Sequence, residues 1–181
     1  MESTIRERTW KAIYRLLNRV SPIEGDCGRL CGAACCTVSG ELADEELGIY
    51  LYPGEEKLHQ NAGGSAGDWL DWTVEEAEDY EFPASWQGQV YFVRCKTPPH
   101  CPRQLRPLQC RTFPLTPHLD ENGLLTLIYN DEELPYRCPL IEDRIELTPE
   151  FVRATYTVWA HLLRDPLIYD LVAMDSAARM L

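Results

Sequence analysis

Eight cysteines in a chain of 181 residues are the side chains best placed to do chemistry. Cys27, Cys31, Cys35 and Cys36 form one group. Cys95, Cys101, Cys110 and the more distant Cys138 form a second. A donor set made of sulfur alone selects zinc or an iron–sulfur centre over calcium or magnesium. The competing use of eight thiols is four disulfides, and the redox compartment decides between the two. The segment from Met1 to Val20 carries Glu2, Arg6, Glu7, Arg8, Lys11, Arg15 and Arg19. That is too many charges for the apolar core of a secretory signal. A cytoplasmic chain with reduced thiols is the expectation, and it directs the cysteines toward metal.

Spacing limits how the first group can act. If Cys27 to Cys35 were one helix, the two ends would lie about 12 Å apart along its axis. Sulfurs about 2.3 Å from one ion cannot span that distance. Either the chain turns within the group, which Gly28 and Gly32 permit, or more than one centre is served. Cys35 and Cys36 are neighbours and project in different directions from a regular backbone. One of them is therefore expected to stand outside the ligand set, although all eight cysteines are candidate ligands. His100 adjoins Cys101 and could replace a thiolate; His118 has a similar claim, and His59 and His161 have weaker ones.

Charge is unevenly distributed. The net charge is -12, yet residues 82–119 hold five bases (Arg94, Lys96, Arg103, Arg106, Arg111) and no acid. Cys95, Cys101 and Cys110 fall in that stretch. Cations there would lower thiol pKa values and offset the roughly -2 charge of a four-thiolate zinc site. The plainer reading is a solvated basic loop. Residues 41–81 hold thirteen acids against Lys57 alone. An acidic chain repels a phosphate backbone, so nucleic acid is not expected as a partner. No apolar run approaches about 18 residues, so no membrane span is expected either.

The elements that must position these thiols are short. Ile5, Trp10, Ile13, Leu16, Leu17 and Val20 recur at helical spacing, which predicts a helix from Thr4 to about Arg19, with Thr4 and Glu7 in the form of a capping box. Leu47–Tyr52, Gln89–Arg94 and Leu124–Tyr129 read as strands, the first closed by a Pro53-Gly54 turn. Glu55 to Gln60 reads as a short helical turn. Asn61 to Gly67 is a glycine-rich loop without the Lys-Ser/Thr ending of a phosphate loop. Residues 97–117 hold six prolines, which argues against regular structure and for a loop cross-linked by metal. Thr148-Pro149 and Asp165-Pro166 are paired helix starts. Val152, Thr155, Tyr156, Trp159, Leu162 and Leu163 should line the buried face of the first of these helices. The fold expectation is a single α+β domain over residues 1–181, small, irregular and stabilised by metal. Its parts are an N-terminal helix (1–20), a cysteine-cluster core with few short strands (23–140) and a C-terminal helical pair (148–181).

CGRLCGAACC at 27–36, the isolated Cys95, then Cys101 and RPLQCRTFP at 106–114 resemble the YkgJ-type cysteine-cluster family, described as a zinc- or iron-chelating domain. The resemblance covers roughly residues 25–140. It implies metal roles for Cys27, Cys31, Cys35, Cys36, Cys95, Cys101 and Cys110, with Cys138 outside the matched part. The family's first spacings are commonly two residues, whereas both are three here. A related cysteine pattern occurs in flagellin lysine methylases. The functional expectation is a protein that chelates zinc or iron, an iron–sulfur cluster included. The alternatives are a metal- or cluster-dependent enzyme of methyltransferase-like type and a disulfide-linked interaction protein. Catalytic residues and a protein partner do not follow from the sequence.

Overall fold

A computed structural model describes residues 2–36, 49–60, 70–97, 100 and 102–180. Cys101 and the expected loop at Asn61 to Gly67 lie outside the described residues, as does the start of the expected strand at Leu47.

The architecture is α+β, as expected. Helix α1 (Glu7–Leu17) buries Trp10, Ile13, Tyr14 and Leu17, one stripe at three- and four-residue spacing. Leu16, placed in that stripe by the sequence, is 36% exposed. The capping box does not form. Arg6 is the N-cap and makes no capping bond. The Thr4 hydroxyl and amide donate instead to Asp165, at 2.8 and 2.6 Å, and Glu7 pairs with Lys11 at 2.6 Å. A buried carboxylate is the stronger acceptor, so it takes the Thr4 amide that Glu7 would have accepted in the local motif.

Short helix α2 (Gly28–Cys31) ends at Gly32, whose φ of 65° is the left-handed conformation that favours glycine. Strand β1 (Ile49–Tyr50), helix α3 (Glu56–Gln60), strand β2 (Leu70–Glu76) and strand β3 (Gln89–Cys95) follow. These strands form an antiparallel sheet in the order β1-β3-β2, with Leu70 opposite Cys95. Strand β2 was missed although its signal is present: Leu70, Trp72 and Val74 alternate with Asp71, Thr73 and Glu75.

The proline-rich segment is more regular than expected. It holds a 3-10 turn (Arg103–Leu105), helix α4 (Leu108–Thr112) and strand β4 (Leu115–Leu119), which pairs with β5 (Leu125–Tyr129). Pro107 and Pro117 sit where a missing N–H costs nothing. Pro107 caps α4. In β4 the Leu119 amide points away from β5, toward the Ser176 hydroxyl at 2.9 Å. Pro117, two residues earlier, shares that outward orientation and so removes no ladder bond.

Helices α5 (Pro139–Glu142), α6 (Pro149–Leu162) and α7 (Pro166–Arg179) complete the chain. Thr148 caps α6 by accepting from the Phe151 amide, and Asp165 caps α7 by accepting from Leu167 and Ile168. The buried face of α6 is Phe151, Ala154, Thr155, Val158, Trp159 and Leu162. Tyr156, expected in that face, is exposed at 46%. The largest apolar cluster joins Trp10, Trp86 and Trp159 to α6 and α7. A second gathers Leu115, Cys138, Leu140, Leu147 and Phe151, with Cys27 packed against it. No described helix is long and apolar enough to cross a membrane.

Candidate metal centre

Both cysteine groups contribute to one cavity wall. Cys27, Cys35 and Cys36 from the first, with Cys95 and Cys110 from the second, line one cavity of about 350 Å³. Each arrives by its own route. Asp26 accepts a hydrogen bond from the Gly28 amide at 3.0 Å, which fixes Cys27 at the start of α2. Gly32 and then Ala33, both at positive φ, reverse the chain before Cys35 and Cys36. This is the turn that the helical-distance argument gave as one of two alternatives. Cys95 ends β3, and Cys110 is the middle residue of α4.

Cys35 and Cys36 do not diverge. Their sulfurs are 3.9 Å apart. In a tetrahedral site with metal–sulfur bonds near 2.3 Å, neighbouring sulfurs are separated by about 3.8 Å. Residues 34–36 are themselves helical, so the expectation that one of this pair stands apart fails on side-chain direction and not on an irregular backbone. As placed, the pair has the bite of a bidentate ligand.

The other cysteines are positioned differently. Cys31 ends α2 and is not part of the cavity wall. Cys138, 7% exposed, begins α5 within the second apolar cluster, beside Cys27. None of the four histidines lines the cavity. His100 and His161 are exposed, and His118 sits in β4. His59 is buried against Tyr14 and Trp72. Among the described residues, no three Cys, His, Asp or Glu side chains stand close enough to hold one ion.

Burial and neighbouring groups raise the pKa of two of the thiols, Cys35 and Cys27. The hydrogen bond to Cys36 raises the Cys35 pKa, and burial and neighbouring sulfurs add to it. Burial raises Cys27, with Asp26, Cys31 and Cys138 acting in the same direction and Arg106 opposing. At Cys27 burial, Asp26 and the neighbouring sulfurs outweigh the opposing pull of Arg106. A metal would have to displace protons here, so its uptake must release acid.

Arg111 explains why Cys110 faces this cavity. Its guanidinium lies 3.9 Å above the Tyr14 ring. It donates to Asn18 Oδ1 at 2.7 Å, to the Arg103 carbonyl at 3.1 Å and to the Arg106 carbonyl. Arg111 is thus no solvated base: it holds the proline-rich segment through two of its carbonyls. Glu55 was missed altogether. It is 0% exposed and accepts from the Tyr14 hydroxyl, the Leu108 amide at 2.7 Å and the Tyr52 amide at 3.0 Å. The signal available was slight: an acid directly after Pro53-Gly54, where the turn returns the chain inward through the Glu55 amide bond to the Tyr52 carbonyl.

No family model, curated protein or solved structure matches the chain.

Proposed function

We propose that this protein binds zinc or iron through thiolates drawn from both cysteine groups. The observation that carries the reading is the single cavity walled by Cys27, Cys35, Cys36, Cys95 and Cys110. The donor chemistry fits: sulfur predominates, and the 3.9 Å separation of Cys35 and Cys36 matches the edge of a tetrahedral thiolate site. Cys35, Cys36, Cys95 and Cys110 would hold the metal, with Cys27 as the further donor. Arg94, Arg103 and Arg106 on the same wall would offset the thiolate charge. The resemblance to the YkgJ-type pattern points the same way. A metal bound there would cross-link β3, α4 and the segment after α2, and an iron–sulfur cluster would add electron transfer.

A second reading is a metal- or cluster-dependent enzyme of methyltransferase-like type. What favours it is size. About 350 Å³ falls within the roughly 300–1,000 Å³ of small-molecule sites, and Val20, Phe113 and Leu134 give the wall apolar surface. Binding of S-adenosylmethionine to metal-loaded protein, followed by equilibrium dialysis, separates the two readings.

The metal reading is tested by elemental analysis and an optical spectrum of anaerobically purified protein. The expected result is a stoichiometric content of zinc, which is colourless, or of iron with the brown absorption of a cluster. Neither metal, both as isolated and after reconstitution, would sink the proposal.

A further inference from the structure

Glu55 is a carboxylate at zero exposure in a protein whose neighbouring core is apolar. Burying such a group is costly, and an apolar residue of similar size would often stabilise a fold as well. What Glu55 provides is direction. Its two oxygens collect donors from three separate segments: the Tyr14 hydroxyl on α1, the Tyr52 amide after β1 and the Leu108 amide at the start of α4.

The Leu108 amide is the first of several anchors around Cys110. The Gln109 side chain donates to the Tyr50 carbonyl at 2.8 Å. Arg111 is clamped on the Tyr14 ring, and Thr112 Oγ1 donates to the Leu108 carbonyl at 3.2 Å. Tyr14 therefore serves twice, as the face beneath Arg111 and as the donor to Glu55. A helix of five residues has too little intrinsic stability to hold a sulfur in place, so its aim is set by these tertiary anchors.

We propose that Glu55 is a positioning residue for the cysteine centre: through the Leu108 amide and Tyr14 it fixes α4 so that Cys110 meets the Cys35–Cys36 pair across the cavity. This rests on the metal reading above. Glu55 touches no sulfur and acts only by orienting the segment that carries one, as outer partners do at metal sites.

The test compares three chains. Glu55→Gln keeps the side chain's size but replaces one acceptor oxygen with a donor, so at least one of the three donors loses its partner. Tyr14→Phe removes the hydroxyl and keeps the ring under Arg111; it takes the place of Glu55→Gln if that chain fails to fold. Asp165→Asn is the control. Asp165 is equally buried and accepts from Ser3, Thr4, Leu167 and Ile168, away from the cysteine cavity.

Two readouts are needed. One is the rate of metal transfer to a chromogenic chelator. The other is alkylation of each cysteine in the metal-free chain, mapped by mass spectrometry. Glu55→Gln should transfer metal about tenfold faster, or more, than the native chain. It should also raise Cys110 alkylation several-fold relative to Cys138. Asp165→Asn should lower the melting temperature and leave both rates at native values. Equal transfer rates in Glu55→Gln and Asp165→Asn overturn the proposal, as does unchanged Cys110 alkylation. If the native chain cannot be loaded with metal, the metal reading falls, and the alkylation arm still decides whether Glu55 aims Cys110.

Discussion

The guanidinium of Arg111 stacks 3.9 Å above the ring of Tyr14, and both side chains are buried. The contact ties the residue next to Cys110 to the N-terminal helix. Lysine can place a charge there but cannot stack a planar group and donate to three separate oxygens at once. Arg111→Lys should therefore destabilise the fold by about 3 kcal/mol, from a lost cation–π contact and buried acceptors left unpaired. At this chain length each kcal/mol lowers the melting temperature by about 2–4 °C. Thermal unfolding checks this; a change within error would mean the stacking is incidental.

Cys110→Ser should lower metal content and thermal stability together. Serine preserves the shape of α4 but is a poor ligand for zinc or iron. Because metal binds the folded chain, loss of affinity appears as loss of stability, roughly 1.4 kcal/mol for each tenfold. The metal-free chains should differ by much less. Melting curves with and without chelator separate the two effects, and normal metal content in the variant removes Cys110 from the ligand set.

Much of the frame was legible in sequence because local chemistry dictates it. Thr148-Pro149 and Asp165-Pro166 place a capping acceptor before a proline at the first helical position, and both helices begin there. The turn after Cys31 was legible through Gly32. What failed was tertiary. The capping box at Thr4 lost to Asp165, more than 150 residues away. The prolines of 97–117 hid α4 and β4, since a proline is harmless when its nitrogen faces away from the ladder. Glu55 was invisible because nothing local distinguishes it from the other acids of a strongly acidic stretch. Spacing alone left open whether the two cysteine groups meet; in the structure five of the cysteines line one cavity.

Cys35 and Cys36 should behave as one ligand unit. Cys35→Ser and Cys36→Ser should each reduce metal content strongly, and the double variant should be little worse than either, since paired groups are not additive. Parallel metal analysis of the three chains checks this. Full metal content in Cys35→Ser would mark Cys35 as a plain surface thiol.

Acid should destabilise the protein through His59. Burial beside Tyr14 lowers its pKa to about 4 from about 6.5. Between those values the unfolded chain takes up a proton that the folded chain refuses, so this contribution is present above about pH 6.5 and is lost as pH falls toward 4. Its full size is about 3 kcal/mol. Glu55, whose pKa burial raises, works in the opposite sense, favouring the fold at low pH. The difference between the native chain and His59→Gln isolates the histidine: the native chain should lose the larger share of its stability between pH 6.5 and 4. Parallel curves would contradict this.

The central claim is that sulfurs from both cysteine groups share one metal centre. X-ray absorption at the metal edge tests it most directly, on the native chain, Cys36→Ser and Cys110→Ser, each loaded anaerobically. The expected native spectrum has a shell of about four sulfurs near 2.3 Å. Each variant should lose one sulfur from that same shell. A shell of nitrogen and oxygen, or a sulfur shell that one of the two variants leaves intact, would contradict the account.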